Sequence, residues 1–149
     1  MSSDTYTYDL EVDIPPVFEL DAEYPDGGVS FNELLPDSPP QMKEVVVSVK
    51  TNIGKPYEVI QNVSTTLTNE SGKMIDREYF TVRAELVAGE AGRIQPEDFT
   101  PVQEGDTILF VSDKSGSPSR FKVGYRLRPY RQMPPGEYKT GVVYSLNEI

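Results

Sequence analysis

The sequence predicts an all-β fold, an immunoglobulin-like antiparallel β-sandwich of about seven to nine strands with an extended strand at its N-terminus. Apolar and polar residues alternate with a period of two in several segments, turn-forming residues separate these segments, and no segment sustains a 3.6-residue period. A chain of 149 residues is long enough to bury the core of one domain. We therefore predict an N-terminal extended strand over residues 1–15 and a single sandwich domain over residues 16–149.

The first predicted strand covers residues 5–14 and shows the most regular alternation in the chain. Pro15 and Pro16 end it, because a proline has no N–H to donate to a β-ladder. A weaker extended piece follows at 17–20. The apolar face of the first strand consists of Tyr6, Tyr8, Leu10, Val12 and Ile14, and its polar face of Thr5, Thr7, Asp9, Glu11 and Asp13.

The remaining strands are predicted from residue 44 onward. Segments 44–51 and 57–67 are rich in β-branched residues and flank a turn at Gly54, which predicts a hairpin. Residues 88–105 are rich in Gly, Pro and acids, so we expect a loop there with at most one short helical turn near 96–99. The other strands are predicted at 79–87, 107–111, 120–127 and 138–146.

The composition excludes several classes of chemistry. The chain has no Cys and no His, which rules out disulfides, thiolate metal sites, Cys nucleophiles and His-dependent triads. A net charge of −10 argues against a nucleic-acid partner. We expect no membrane insertion, because no apolar run reaches the length of a membrane span, and the first residues lack the pattern of a signal peptide.

Charge is distributed unevenly along the chain. Residues 1–42 hold ten of the 24 acids and no Lys or Arg, whereas residues 114–139 hold seven bases and one acid. The acidic N-terminal arm and the basic segment would attract each other within one chain or between two. We predict a basic acceptor region formed by Arg120, Lys122, Arg126, Arg128 and Arg131.

The sequence raises three other kinds of site: catalytic, metal-binding and glycosylation sites. Asp9, Glu11 and Asp13 alternate with apolar residues, as solvent-facing strand positions do, so we expect no catalytic residue. Acids at 21–26 and 98–106 match no known calcium-loop spacing, and we expect no metal or other cofactor. Two Asn-x-Ser sequons predict glycosylation sites of an exported protein, at Asn62 and, on a predicted turn, at Asn69.

Three segments carry a family resemblance. They are Val29-Ser30-Phe31 before a proline-bearing loop, the run 45–49 followed by 52–59, and the ending 134–146, in which Pro134-Pro135-Gly136-Glu137-Tyr138 leads into the last strand. In these segments the chain resembles spore-coat-U and archaic chaperone-usher pilin domains, although it lacks the cysteines that such pilins often carry. The resemblance implies an incomplete sandwich that is completed by the N-terminal strand of the next subunit.

Three hypotheses follow. The first is a structural subunit of an extracellular, cell-surface filament that polymerises with itself, with the apolar face of residues 5–14 inserted into a groove formed by the last strands of a neighbour; an assembly chaperone or a surface ligand is a further expected partner. The second is a monomeric extracellular or periplasmic module that binds a glycan or protein through its loops, with residues 5–14 as the first strand of its own sandwich. The third, an enzyme using carboxylates, is the least favoured.

Overall fold

The computed structural model describes residues 12–24, 31, 35 and 38–149. Within them lie nine β-strands and one 3-10 helical turn, Arg77–Tyr79. The strands are β1 (Phe18–Glu23), β2 (Gln41–Thr51), β3 (Tyr57–Val63), β4 (Phe80–Leu86), β5 (Arg93–Ile94), β6 (Thr100–Pro101), β7 (Gly105–Val111), β8 (Ser119–Leu127) and β9 (Val142–Glu148).

The strands form two antiparallel sheets. The five-stranded sheet has the order β1-β2-β8-β4-β6, and the four-stranded sheet has the order β5-β7-β3-β9. Strands β1 and β9 lie on one side of the molecule, and β4 and β5 approach each other on the other side. The predicted all-β sandwich is therefore confirmed, with a strand number at the upper end of the predicted range.

The core lies between the sheets and is built from alternate residues of each strand. In β2 the inward side chains are Val45, Val47 and Val49, all at most 2% exposed. Aromatic rings bridge the sheets, as in the stack of Phe110 on Phe121 with ring centroids 5.0 Å apart. Each fully buried apolar side chain of this size contributes about 1.5–3 kcal/mol to folding, so the core is the main source of stability.

The predicted hairpin of 44–51 with 57–67 is wrong. Strand β2 pairs with β1 and β8 in one sheet, whereas β3 pairs with β7 and β9 in the other. Residues 52–56 therefore cross between the sheets. Both strands bury an apolar face in the same core. Alternation of apolar and polar residues shows which face of a strand is buried, but it does not show which strand is its hydrogen-bonded neighbour.

Other segments differ in detail. The last strand begins at Val142 instead of residue 138, and the helical turn lies at Arg77–Tyr79 instead of near 96–99. Residues 88–105 contribute the two-residue strands β5 and β6.

The motif 134–138 forms a turn that ends at a buried tyrosine. The amide of Asn69 donates from Nδ2 to the carbonyl of Pro135 at 2.9 Å, and the hydroxyl of the fully buried Tyr138 donates to the carbonyl of Pro134. Tyr138 also forms a bridge with Phe31, which is fully buried; Val29 and Ser30 lie outside the described residues.

In the described part of the chain, no helix has the length and apolar character needed to cross a membrane.

Candidate functional site

The described end of the N-terminal arm lies before β1 and outside both sheets. Residues 12–17 belong to no strand, and the side chains of Val12 and Ile14 are each 73% exposed. Asn52 holds the base of the arm: its Nδ2 donates to the carbonyl of Pro15 at 3.0 Å, and its Oδ1 accepts from the N–H of Val17 at 2.7 Å. The described end of the arm is thus fixed at its base while its apolar side chains remain in solvent.

The rest of the predicted donor strand lies outside the described residues. This includes Tyr6, Tyr8 and Leu10, three of the five side chains of its apolar face. The boundary predicted at residue 15 coincides with the anchored proline pair, and the first described strand begins three residues later, at Phe18.

The two edge strands β1 and β9 form an incompletely covered seam. Their inward side chains pack against the core but are only partly buried, whereas the inward valines of β2 and the inward apolar residues of β3 and β8 are fully buried. Alternation explains the arrangement, because every second residue of an edge strand faces a core that has no further strand beyond it. We define the β1–β9 seam as Phe18, Leu20, Ala22, Val142, Tyr144 and Leu146.

The backbone of β9 presents hydrogen-bonding groups on its outer side. Among the described residues, β9 pairs only with β3. The N–H of Ser64 donates to the carbonyl of Gly141 at 3.3 Å, and the N–H of Ile149 donates to that of Pro56 at 3.1 Å, which fixes the phase of the antiparallel ladder. Bonded and non-bonded pairs alternate in such a ladder. The backbone groups that face the free edge are therefore those of Val142, Tyr144, Leu146 and Glu148.

The two edges of the seam differ in charge. The outward side chains of β1 are Glu19, Asp21 and Glu23, all exposed. A row of charges of this kind protects an edge strand against pairing with another chain. The outward positions along β9 are Val143, Ser145 and Asn147, none of them charged. An acidic strand would therefore meet repulsion at β1 and none from these three residues at β9.

The seam is connected to the core through tyrosine hydroxyls. The hydroxyls of Tyr144 and Tyr125 lie 2.7 Å apart, and the hydroxyl of Tyr125 donates to the Oε1 of the fully buried Gln61. Burial raises the pKa of Tyr144 to about 12, although the hydrogen bond with Tyr125 acts in the opposite direction. The Tyr144 side chain is thereby held in place as part of the seam.

The predicted basic acceptor region occupies a different place. Arg120, Lys122 and Arg126 lie on the outer face of β8, the central strand of its sheet, whose two edges already pair with β2 and β4. No further strand can add beside β8, so these side chains do not line a strand-accepting groove. This part of the sequence prediction is corrected: an acceptor must be an edge strand.

The basic side chains are engaged locally. The guanidinium of Arg126 lies 4.0 Å from the ring centre of Phe99, and that of Arg83 lies 4.5 Å from it. Lys122 lies 4.0 Å from Glu44, at the limit of an ion pair. Arg128 donates from Nη2 to the carbonyl of Glu78 at 3.0 Å, whereas Arg131 is exposed in a turn after β8.

The two sequons differ in accessibility. Asn62 lies on the outer face of β3, half-buried, with Nδ2 donating to Asp106 at 2.8 Å. Asn69 is 8% exposed, and its Oδ1 accepts from the N–H groups of Ser71 and Lys73. Because its Nδ2 is already bound to Pro135, the folded chain has no room for a glycan at Asn69. This placement argues against the predicted modification there.

Two loop carboxylates have structural contacts. Glu104 accepts from the N–H of Thr66 at 3.3 Å, and Asp113 accepts from both the N–H and the hydroxyl of Ser117 at 2.8 Å. Hydrogen bonds from Ser117 lower the pKa of Asp113. In the ranges that the structure covers, no cluster of three or more potential ligands is arranged to hold a metal ion.

Comparisons with known proteins give little guidance. No family model matches the sequence, and no curated protein is similar to it. Among solved structures, the chain resembles part of a family 123 glycoside hydrolase from Clostridium perfringens, whose structure was described in relation to glycolipid glycan hydrolysis, with 12% identity and a TM-score of 0.47. The match covers 87% of this chain and 25% of the hydrolase, so the chain spans about a quarter of that enzyme's length. A likeness at this level carries no argument about function.

Proposed function

We propose that the chain is a structural subunit of an extracellular filament and that it polymerises by donating its N-terminal strand to the β9 edge of a neighbouring copy. The observation that carries the proposal is the combination of an arm whose described apolar side chains, Val12 and Ile14, are exposed with the β9 edge, whose outward side chains carry no charge and whose inward side chains are only partly covered. The extracellular location belongs to the proposal and rests on the resemblance to pilin-type domains.

Strand addition would satisfy both parts of this site. The edge-facing backbone groups of Tyr144 and Leu146 would bond to the added strand, as in other β-augmentation complexes. The apolar face of the arm would cover the seam, and each side chain of this kind that leaves water contributes about 1.5–3 kcal/mol before ordering costs.

The charges of the arm select between the two edges. On the added strand, Asp9, Glu11 and Asp13 would occupy the face opposite the seam. Beside β1 they would meet Glu19, Asp21 and Glu23, and like charges on neighbouring strands are destabilising. Beside β9 they would meet Val143, Ser145 and Asn147. We therefore assign the acceptor role to β9.

The donor side is tested with a pair of variants that add the same charge to opposite faces of the arm. Leu10→Asp places a carboxylate on the apolar face and should abolish long oligomers in light scattering and negative-stain microscopy. Thr7→Asp places it on the polar face and should leave assembly intact. A full-length chain that stays monomeric under all conditions would contradict the proposal and favour the monomeric binding module.

The acceptor side is tested with a second matched pair. Leu146→Glu adds a charge to the seam and should abolish assembly, whereas Ile108→Glu adds the same charge to the outer face of β7, away from the β9 edge, where Ile108 is 37% exposed. Thermal unfolding of both variants checks that each remains folded. Equal loss of assembly in the two variants would argue against β9 as the acceptor.

A further inference from the structure

The outer face of the five-stranded sheet carries an acidic column and a basic column of side chains. The acidic column lies on β1 and the basic column on β8; their members are Glu19, Asp21 and Glu23, and Arg120, Lys122 and Arg126. The outward charges of the other two long strands cancel within each strand, Glu44 against Lys50 on β2 and Arg83 against Glu85 on β4. The face is therefore neutral, although the whole chain has a net charge of −10.

The two columns do not pair with each other within one copy. Strand β2 lies between β1 and β8, so the columns are two strand spacings, about 10 Å, apart. Within the ranges that the structure describes, no acid of β1 forms an ion pair, and the residues outside those ranges include no Lys or Arg. The carboxylates of the acidic column are therefore available to another molecule.

The rows of the sheet match the two columns to each other. Asp21 and Arg120 lie opposite the same residue of β2, and Glu23 and Lys122 lie opposite another residue of β2 two positions away. A twofold axis that runs over β2 in the strand direction would place β1 of each copy opposite β8 of a second copy and keep each row level. Asp21 of one copy would then face Arg120 of the other, and Glu23 would face Lys122.

We propose that this face is a contact surface for a second copy of the chain, with Asp21 and Glu23 of each copy paired with Arg120 and Lys122 of the other. Charge complementarity identifies the occupant, because the acids that match the bases in number and in row belong to the same chain. Two copies with a net charge of −10 repel each other, and a neutral face allows the closest approach.

The contact is weak between single copies. A face four strands wide and six residues long covers on the order of 400 Å² per copy, about half of what a stable interface buries. The axis would also bring Glu44 of both copies together, and Lys122, at 4.0 Å from Glu44, offsets only part of that repulsion. At micromolar concentrations the copies therefore stay separate, whereas subunits in neighbouring filaments would form many such contacts side by side. The contact includes neither the arm nor β9, so it does not depend on the proposed function.

The test measures attraction between full-length Leu10→Asp chains, whose arm is defective, as the second virial coefficient in static light scattering. Asp21→Arg and Glu70→Arg are each added to this chain. Both positions are exposed and both substitutions change the net charge equally, but Glu70 lies in a turn outside both sheets. In about 0.1 M salt we expect a more positive coefficient, meaning stronger repulsion, for Asp21→Arg than for Glu70→Arg. The difference should vanish in about 1 M salt, where the Debye length is about 3 Å.

A charge exchange within one row tests the pairing itself. Arg120→Asp alone would place two carboxylates in the row and should also raise the coefficient. Asp21→Arg combined with Arg120→Asp restores opposite charges and the original net charge, so its coefficient should return to that of the Leu10→Asp chain. Equal coefficients for Asp21→Arg and Glu70→Arg, or no recovery in the combined variant, would overturn the proposal.

Discussion

At the scale of single residues, Tyr144 joins the seam to the core. Its hydroxyl lies 2.7 Å from that of Tyr125, whose pKa is raised well above its ordinary value by burial and by the neighbouring Tyr144. Since the folded state holds the proton of Tyr144 up to a pKa of about 12, the unfolded chain releases it first as the pH rises. The contribution to stability is complete below about pH 10, the ordinary tyrosine pKa, and is lost as the pH rises towards 12.

This linkage gives a prediction for Tyr144→Phe. At neutral pH the variant should lose about 1 kcal/mol of unfolding free energy, the usual contribution of one hydrogen bond. Between pH 10 and 12 its stability should decline less steeply than that of the unmodified chain, because one titrating group has been removed. Urea unfolding curves at a series of pH values measure both effects. Parallel declines in the two proteins would refute the assignment.

Two glycines in the left-handed region test the packing around turns. Gly54 has φ of +68° with open space around it, whereas a Cβ on Gly116, with φ of +64°, would lie 2.0 Å from the carbonyl oxygen of Lys55. Gly54→Ala should cost about 1–2 kcal/mol from backbone strain alone. Gly116→Ala should cost about 1–3 kcal/mol more, because the neighbouring backbone must move. Chemical unfolding of the two variants provides the comparison, and equal losses would contradict it.

At the scale of elements, sequence patterns predicted strands well and their partners poorly. Strands β2, β4 and β8 follow from period-two alternation, and the structure places them close to the predicted residues. The pairing of β2 with β8, instead of with β3, depends on contacts between residues about 80 positions apart. Local periodicity carries no information on such contacts.

The same limit applies to the sites. The sequence predicts a surface sequon at Asn69, but in the structure the turn at 134–136 covers this residue. The hydrogen bond from Asn69 to Pro135 joins residues 66 positions apart. A small cavity beside Gln61 was not predicted, because its lining comes from four strands and their loops. Only Gln61 offered a signal, as a polar residue at an inward position of an otherwise apolar strand face. The β9 edge was predicted only as part of the last strands.

Hydrogen exchange along β9 tests the proposed acceptor edge. In a monomeric variant such as Leu10→Asp, the amides of Tyr144 and Leu146 should exchange rapidly, because they face the free edge, while that of Ser145 should be protected by pairing with β3. In the assembled wild-type protein all three should be protected. Rapid exchange of Tyr144 and Leu146 in both states would contradict strand addition at β9.

At the scale of the whole molecule, the arm and the sandwich are expected to be separate units of stability. Val12 and Ile14 are exposed and residues 12–17 pair with no strand, so removal of residues 1–14 should change the unfolding free energy of a monomer by less than about 1 kcal/mol. Denaturant unfolding of the truncated chain and of full-length Leu10→Asp measures the difference. A loss of several kcal/mol would place the arm inside its own sandwich.

Strand donation also predicts that two inactive variants complement each other. Leu10→Asp has a defective arm and an intact β9 edge, whereas Leu146→Glu has an intact arm and a defective edge. Leu146→Pro, which removes an edge-facing N–H without adding charge, is a second acceptor variant in case the glutamate impairs folding.

The most direct measurement is the mass distribution of these variants alone and mixed, by light scattering. Each variant alone should be a monomer, and the mixture should form one-to-one dimers and nothing longer, because only one productive joint can form. A mixture that remains monomeric, or a single variant that still polymerises, would contradict donation of the N-terminal strand to β9.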